Sequence, residues 1–134
     1  MEAGQYGDAE RVIDQAICRY PHDLRFPIAK ASLLLYSIKN PQRALECINE
    51  ALPRAYRTGF FRREALGMKA RILLELRDGA ELSRVLEEIM SLKMIKGIPD
   101  IGPERDFVDR APTGLIPNDL IARYDLFCPR HRPA

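Results

Sequence analysis

Two histidines, three cysteines and 19 acidic residues are the groups through which this 134-residue chain could do chemistry. Neither His22 nor His131 is spaced with cysteines or carboxylates as metal ligands are. Neither has a neighbouring serine or cysteine to activate. Cys18, Cys47 and Cys128 are odd in number and contain no CxxC pair. They read as small buried hydrophobes in a reducing compartment. The stretch GIPDIGPE places Gly97 and Gly102 at the Gly-x4-Gly spacing of a phosphate loop. It continues Pro103-Glu104, so it offers no lysine to the phosphates and no hydroxyl to Mg²⁺. Glu87-Glu88 and Asp106/Asp109 read as carboxylates on solvated helix faces. The expectation is a noncatalytic chain with no cofactor and no metal.

The remaining chemistry is recognition. Between Ala51 and Glu75, Arg54, Arg57, Arg62, Arg63, Lys69 and Arg71 stand against Glu64 and Glu75, a local excess of +4 where the whole chain carries +2. Tyr56, Phe60 and Phe61 interleave with them. Arginines beside aromatic rings suit an acidic or aromatic protein segment. The plainer reading is a solvated helix flank. RNA binding through the 54–71 run is the weaker reading, because the net charge is small and no base-reading pair recurs.

Helices must position these groups. Ala9, Val12, Ile13, Ala16, Ile17 and Tyr20 recur at helical spacing from Gly7 or Asp8 to Arg19, and Pro21 stops the run. A second helix is predicted over 27–38, with Ile28, Ala31, Leu34 and Leu35 as its stripe. Asn40 as cap and Pro41 as first helical residue open a third, to Leu52. A fourth runs over 61–76, Asp78-Gly79 turns the chain, and a fifth runs over 80–92, with Gly97 a plausible cap. The segment 97–117 has four prolines and three glycines, and holds at most one short helix near Glu104–Arg110. Asn118 then caps a last helix with Leu120, Ile121, Tyr124 and Phe127 inward. No stretch alternates with period two, so the fold class is all-α. The expected core is Val12, Ile13, Ala16, Ile28, Ala31, Leu35, Ala44, Ile48, Leu73, Val85, Leu86 and Ile89.

Ala9, Ile13, Ala16 and Ile17 superpose on Ala44, Ile48, Ala51 and Leu52 at an offset of 35. With Gly4, Tyr6 and the closing Pro21, and with Ile28, Ala31, Ser32 and Leu35 followed by Lys39-Asn40-Pro41, the chain resembles the tetratricopeptide repeat (TPR) family. The match is good over Gly4–Leu52 and weak to Leu92. The resemblance implies an α-solenoid of antiparallel helical hairpins over 1–96, made of a half repeat 4–21, a repeat 25–53 and a degenerate repeat 61–92. A Pro/Gly-rich connection and capping helix follow over 97–134.

It further implies an adaptor that holds a peptide or extended protein segment in a concave groove. On this register the groove residues are Phe26, Leu33 and Tyr36, with Arg62, Arg63, Met68 and Arg71 from the degenerate repeat. The family's carboxylate clamp is not matched, since Leu33 or Met68 stands where it needs Asn. Met1 to Ala3 are too few to supply the first helix of the first hairpin. The alternative function is therefore a structural or oligomerisation module cut from a larger repeat protein. A homodimer would form through the N-terminal helix face or the C-terminal helix. No signal or membrane-spanning segment is present in this chain, so the expected compartment is cytoplasmic and no membrane contact is expected.

Overall fold

Asn40 and Asp78 do the same work at two turns. Each follows a residue in the left-handed region, Lys39 (φ 60°) and Arg77 (φ 58°). Each side chain then accepts a hydrogen bond from a backbone N–H three residues on, Arg43 and Glu81, both at 3.1 Å. Those N–H groups open a helix and have no partner within it, so the cap satisfies them. The backbone N–H of each cap residue reaches back to the preceding helix, Asn40 to the Leu34 carbonyl (2.7 Å) and Asp78 to the Leu73 carbonyl (3.0 Å).

The computed structural model describes residues 3–55, 61–92 and 104–128. Among them the chain is helical, with no strand. The helices are α1 (Ala3–Arg19), α2 (Arg25–Ser32), α3 (Pro41–Ala51), α4 (Arg62–Leu76), α5 (Gly79–Ser91), α6 (Glu104–Arg110) and α7 (Asn118–Phe127). A π-helical turn, Leu33–Ser37, extends α2, and a 3-10 turn, Leu52–Arg54, extends α3.

Cross-contacts give the chain direction. Asp14 meets Lys30 and Tyr20 stacks on Phe26, so α2 doubles back along α1. Lys69 meets Glu81 and Arg62 meets Glu88, so α5 doubles back along α4. Between α2 and α4 the contacts advance together: Arg25 lies over Phe61 and Arg71 over Tyr36. The partners in those two contacts are 36 and 35 residues apart in sequence. Helix α3 packs on both α2 and α4, α6 packs on α4, and α7 packs on α5.

Small residues set the spacing. Ala31, Ala44, Ala65 and Ala70 have no exposed surface, nor do Ile48, Leu66, Ile72, Leu73, Leu86 and Ile89 around them. Gly79 serves a close approach: a Cβ there would collide with the Leu115 carbonyl oxygen, where the 111–116 segment crosses the start of α5.

Several expectations are corrected. Helix α1 starts at Ala3, and none of its described side chains is buried. Val12 is 63% exposed rather than core, and Ile13 and Ala16 are half-buried. The reason is that α1 packs mainly on α2 and its π-turn, so the opposite side of the helix stays open. Charge helps to hold it there. Asp14 accepts from Lys30 Nζ at 2.6 Å, and Glu10 accepts from Arg43 Nη2 at 2.8 Å. Burial works against the Lys30 charge, but the hydrogen bond and charge of Asp14 carry its pKa above the ordinary lysine value. Ile28 is half-buried against the core rather than fully within it. Cys18 is exposed, not buried, because it lies on the uncovered side of α1. Pro117, not Asn118, is the cap residue of α7, and Asn118 is its first helical residue. Gly97 and His131 lie outside the described residues.

Ala44 has no exposed surface where α3 meets its neighbours. Ala44→Leu is therefore expected to overpack the contact and cost about 1–3 kcal/mol. Thermal unfolding measures this, and an unchanged melting temperature would contradict the packing described.

Candidate interaction face between α2 and α4

The π-turn shapes one wall of this face. The Ile38 N–H bonds to the Leu33 carbonyl at 3.0 Å, a five-residue step. Such a turn carries one more residue than an α-helical turn and resets which residues face inward. Leu34 and Leu35 are both buried, Leu33 is half-buried, and Tyr36 is 43% exposed. At the other end of α2, Phe26 is half-buried. It stacks on Tyr20 with ring centroids 5.8 Å apart, and the Arg25 guanidinium lies 5.8 Å from its centre.

Helix α4 forms the second wall. Met68 is half-buried and packs against the core. Arg71, three residues on, is half-buried, with its guanidinium carbon 4.6 Å from the Tyr36 ring centre and 4.6 Å from that of Phe107. Tyr36 has a raised pKa, first from burial; Arg71 opposes the rise and Glu75 adds to it.

Arg62 and Arg63 part company. Adjacent helical residues project about 100° apart. Arg62 turns toward α3 and α5, donating to the Leu52 carbonyl and to Glu88, each at 3.3 Å. It therefore does not join Arg63 and Arg71 on one rim. Arg63 turns toward α6, where Nε (3.0 Å) and Nη2 (2.7 Å) both donate to Glu104 Oε1. Glu104 has no exposed surface and the Arg63 side chain is 14% exposed. Burial opposes the Arg63 charge, yet the Glu104 hydrogen bonds and charge lift its pKa above the ordinary arginine value. Phe127 lies 5.5 Å from the same guanidinium. Burial, then Glu104, drives the neighbouring Tyr124 phenol far upward.

The basic run of the sequence is thus not a free basic surface. Arg62 pairs with Glu88, Arg63 with Glu104, and Lys69 with Glu81 at 3.6 Å. Tyr56, Arg57 and Phe60 lie outside the described residues. Sequence reasoning places a short helix at Glu104–Arg110 but misses its role. Glu104, Arg105 and Val108 are buried, and Phe107 flanks Arg71. An acidic start after Pro103 with apolar residues three and four positions on was the available signal.

Among the described residues no group of three His, Cys, Asp or Glu side chains could hold a metal ion. His22 is engaged structurally: its Nδ1 donates to the Arg54 carbonyl at 2.5 Å. Among the described residues no helix is long and apolar enough to cross a membrane. Comparison with protein-family models, with curated proteins and with solved structures yields no match.

Breaking a buried pair strands the surviving charge, so Glu104→Gln and Arg63→Met are each expected to cost roughly 3–5 kcal/mol. Urea denaturation of both single variants and of Arg63→Met/Glu104→Leu tests this. The double variant should lose less than the sum by about 1–3 kcal/mol. Additive losses would show that the pair does not act as a unit.

Proposed function

We propose that this chain is a TPR-like helical-repeat module and that it works as a noncatalytic adaptor. The pairing of α2 with α4 carries this reading. Their contacts are offset by 36 and 35 residues, close to the tetratricopeptide period of 34. Helices α2 and α3 then make one hairpin and α4 and α5 the next, with α1 as a half hairpin before them. The shared face of α2 and α4 is the concave one. Leu33 supports its use, since it is half-buried and is not among the residues packed against the buried core, and Phe26, stacked on Tyr20, borders the face at the α1 side. The occupant is a segment of a partner protein laid along this face, and α6 closes the side of the groove beyond Arg63.

A second reading has its own observation. Val12 on α1 is 63% exposed and Tyr20, just after it, 50%, and α1 has no buried described side chain. End-to-end assembly of two copies through α1 would cover them.

One experiment separates the two. Peptides are selected from a displayed random library on the immobilised full chain. Synthetic copies are then titrated into methyl-labelled protein and followed by nuclear magnetic resonance. Shifts at Leu33 and Met68, with Val12 unmoved, are the expected result. Shifts and concentration-dependent broadening centred on Val12 would instead support assembly through α1. Failure to select any binder would overturn the adaptor reading.

A further inference from the structure

Among the described cations of the basic run, Arg54 and Arg71 have no carboxylate within ion-pair distance, and Arg71 is the one of these two with aromatic rings against it. Arg62, Arg63 and Lys69 are each paired with a glutamate from α5 or α6. Among the described residues, no carboxylate lies within ion-pair distance of Arg71. Two aromatic rings stand in place of a counter-ion, Tyr36 from the π-turn and Phe107 from α6, each 4.6 Å from the guanidinium carbon. Rings that close hold the guanidinium by cation–π attraction. They accept none of its N–H hydrogen bonds, so its planar fork keeps donors for an acceptor. That fork has the geometry that matches a carboxylate in two parallel hydrogen bonds.

We infer that the Arg71 edge binds the side-chain carboxylate of a glutamate or aspartate on a partner protein segment, with Tyr36 and Phe107 holding the guanidinium in place. The inference rests on the adaptor reading above and adds the chemistry of its ligand. A neighbouring arginine sets the precedent: Arg63, two turns earlier on α4, already holds a glutamate of this chain. A single guanidinium suits a monoanion. Glu75, near enough to act on the Tyr36 phenol, disfavours a second negative charge, so a phosphate fits less well. Leu33 and Met68 each precede a member of the clamp by three residues on the same helix, and both are half-buried. They give the segment an apolar contact one turn away from its acid.

Library selection on three forms of the full chain gives the test: wild type, Arg71→Met and Arg54→Met. Arg54→Met removes the same charge from an exposed position away from the rings. Melting temperatures establish that all three are folded. Peptides selected on wild type and on Arg54→Met should be enriched several-fold in Glu and Asp at one fixed position. Arg71→Met should abolish that enrichment, and Phe107→Ala should weaken it. Replacing the enriched acid by Gln in a synthetic peptide should weaken binding about tenfold, and phosphoserine should not bind tighter than Glu. Equal binding of Glu and Gln peptides, with shifts still at Leu33 and Met68, would overturn the Arg71 assignment and leave the adaptor reading standing. Tenfold tighter binding of the phosphoserine peptide would overturn the carboxylate assignment. Selection of no peptide on any form would overturn both.

Discussion

Glu104 gives up its water entirely when α6 lies against α4, and Arg63 is what makes that tolerable. An unpaired carboxylate in that position would cost several kcal/mol. Two N–H groups on one oxygen, from a guanidinium that is itself mostly covered, offset part of that penalty, while the other oxygen, Oε2, has no hydrogen-bond partner among the described residues. The rest of the C-terminal structure depends on this docking. Phe127 lies over the Arg63 guanidinium, and Arg105 lies over Tyr124 while its Nη1 stands 2.7 Å from Asp125. Burial opposes the Arg105 charge, but Asp125 and Asp109 outweigh it and raise its pKa. Helix α6 is thus tied to α4 by a covered ion pair and to α7 by one whose aspartate, Asp125, is partly exposed.

The same docking sets a second ring against Arg71 on the candidate interaction face. The same short helix carries Glu104 to Arg63 and Phe107 to Arg71, eight residues further along α4. The two ends of the molecule therefore differ. At the α4–α7 end, burial is deep and the Arg63–Glu104 pair is covered. At the α1 end, contact is one-sided and the charges of Glu10, Asp14, Lys30 and Arg43 remain partly in water. Partly exposed pairs of that kind add modestly to the one-sided packing of α1.

The parts of the fold legible in the sequence are local. Asn40 before Pro41 reads as a helix start because the side chain that caps and the ring that fits the first turn are adjacent. Ala44 reads as a point of close approach because its spacing from Ile48 and Ala51 sets one face of a helix. The π-turn at Leu33–Ser37 was not legible, since Leu-Leu-Leu-Tyr-Ser continues a helical pattern and only the five-residue hydrogen bond distinguishes it. The candidate site was half legible. Tyr36 and Arg71 come from the repeat register, but Phe107 and Glu104 reach it across a connection whose length carries no information about where α6 lands. The basic run misled for the same reason: its counter-charges, Glu81, Glu88 and Glu104, follow it in the chain and meet it only after folding. The exposure of Val12 has a similar origin. Periodicity marks an apolar face but does not say whether a neighbour exists to cover it.

Amide hydrogen exchange across Glu104–Arg110 bears most directly on the docking of α6. A seven-residue helix is too short to persist alone in water, so slow exchange there must come from its packing on α4 and α7. Native-state exchange at neutral pH is predicted to slow the α6 amides to rates alongside those of α4 around Ala70. Exchange of Val108–Arg110 at unfolded-peptide rates, while α4 stays protected, would contradict the buried Arg63–Glu104 pair and the placing of Phe107 against Arg71.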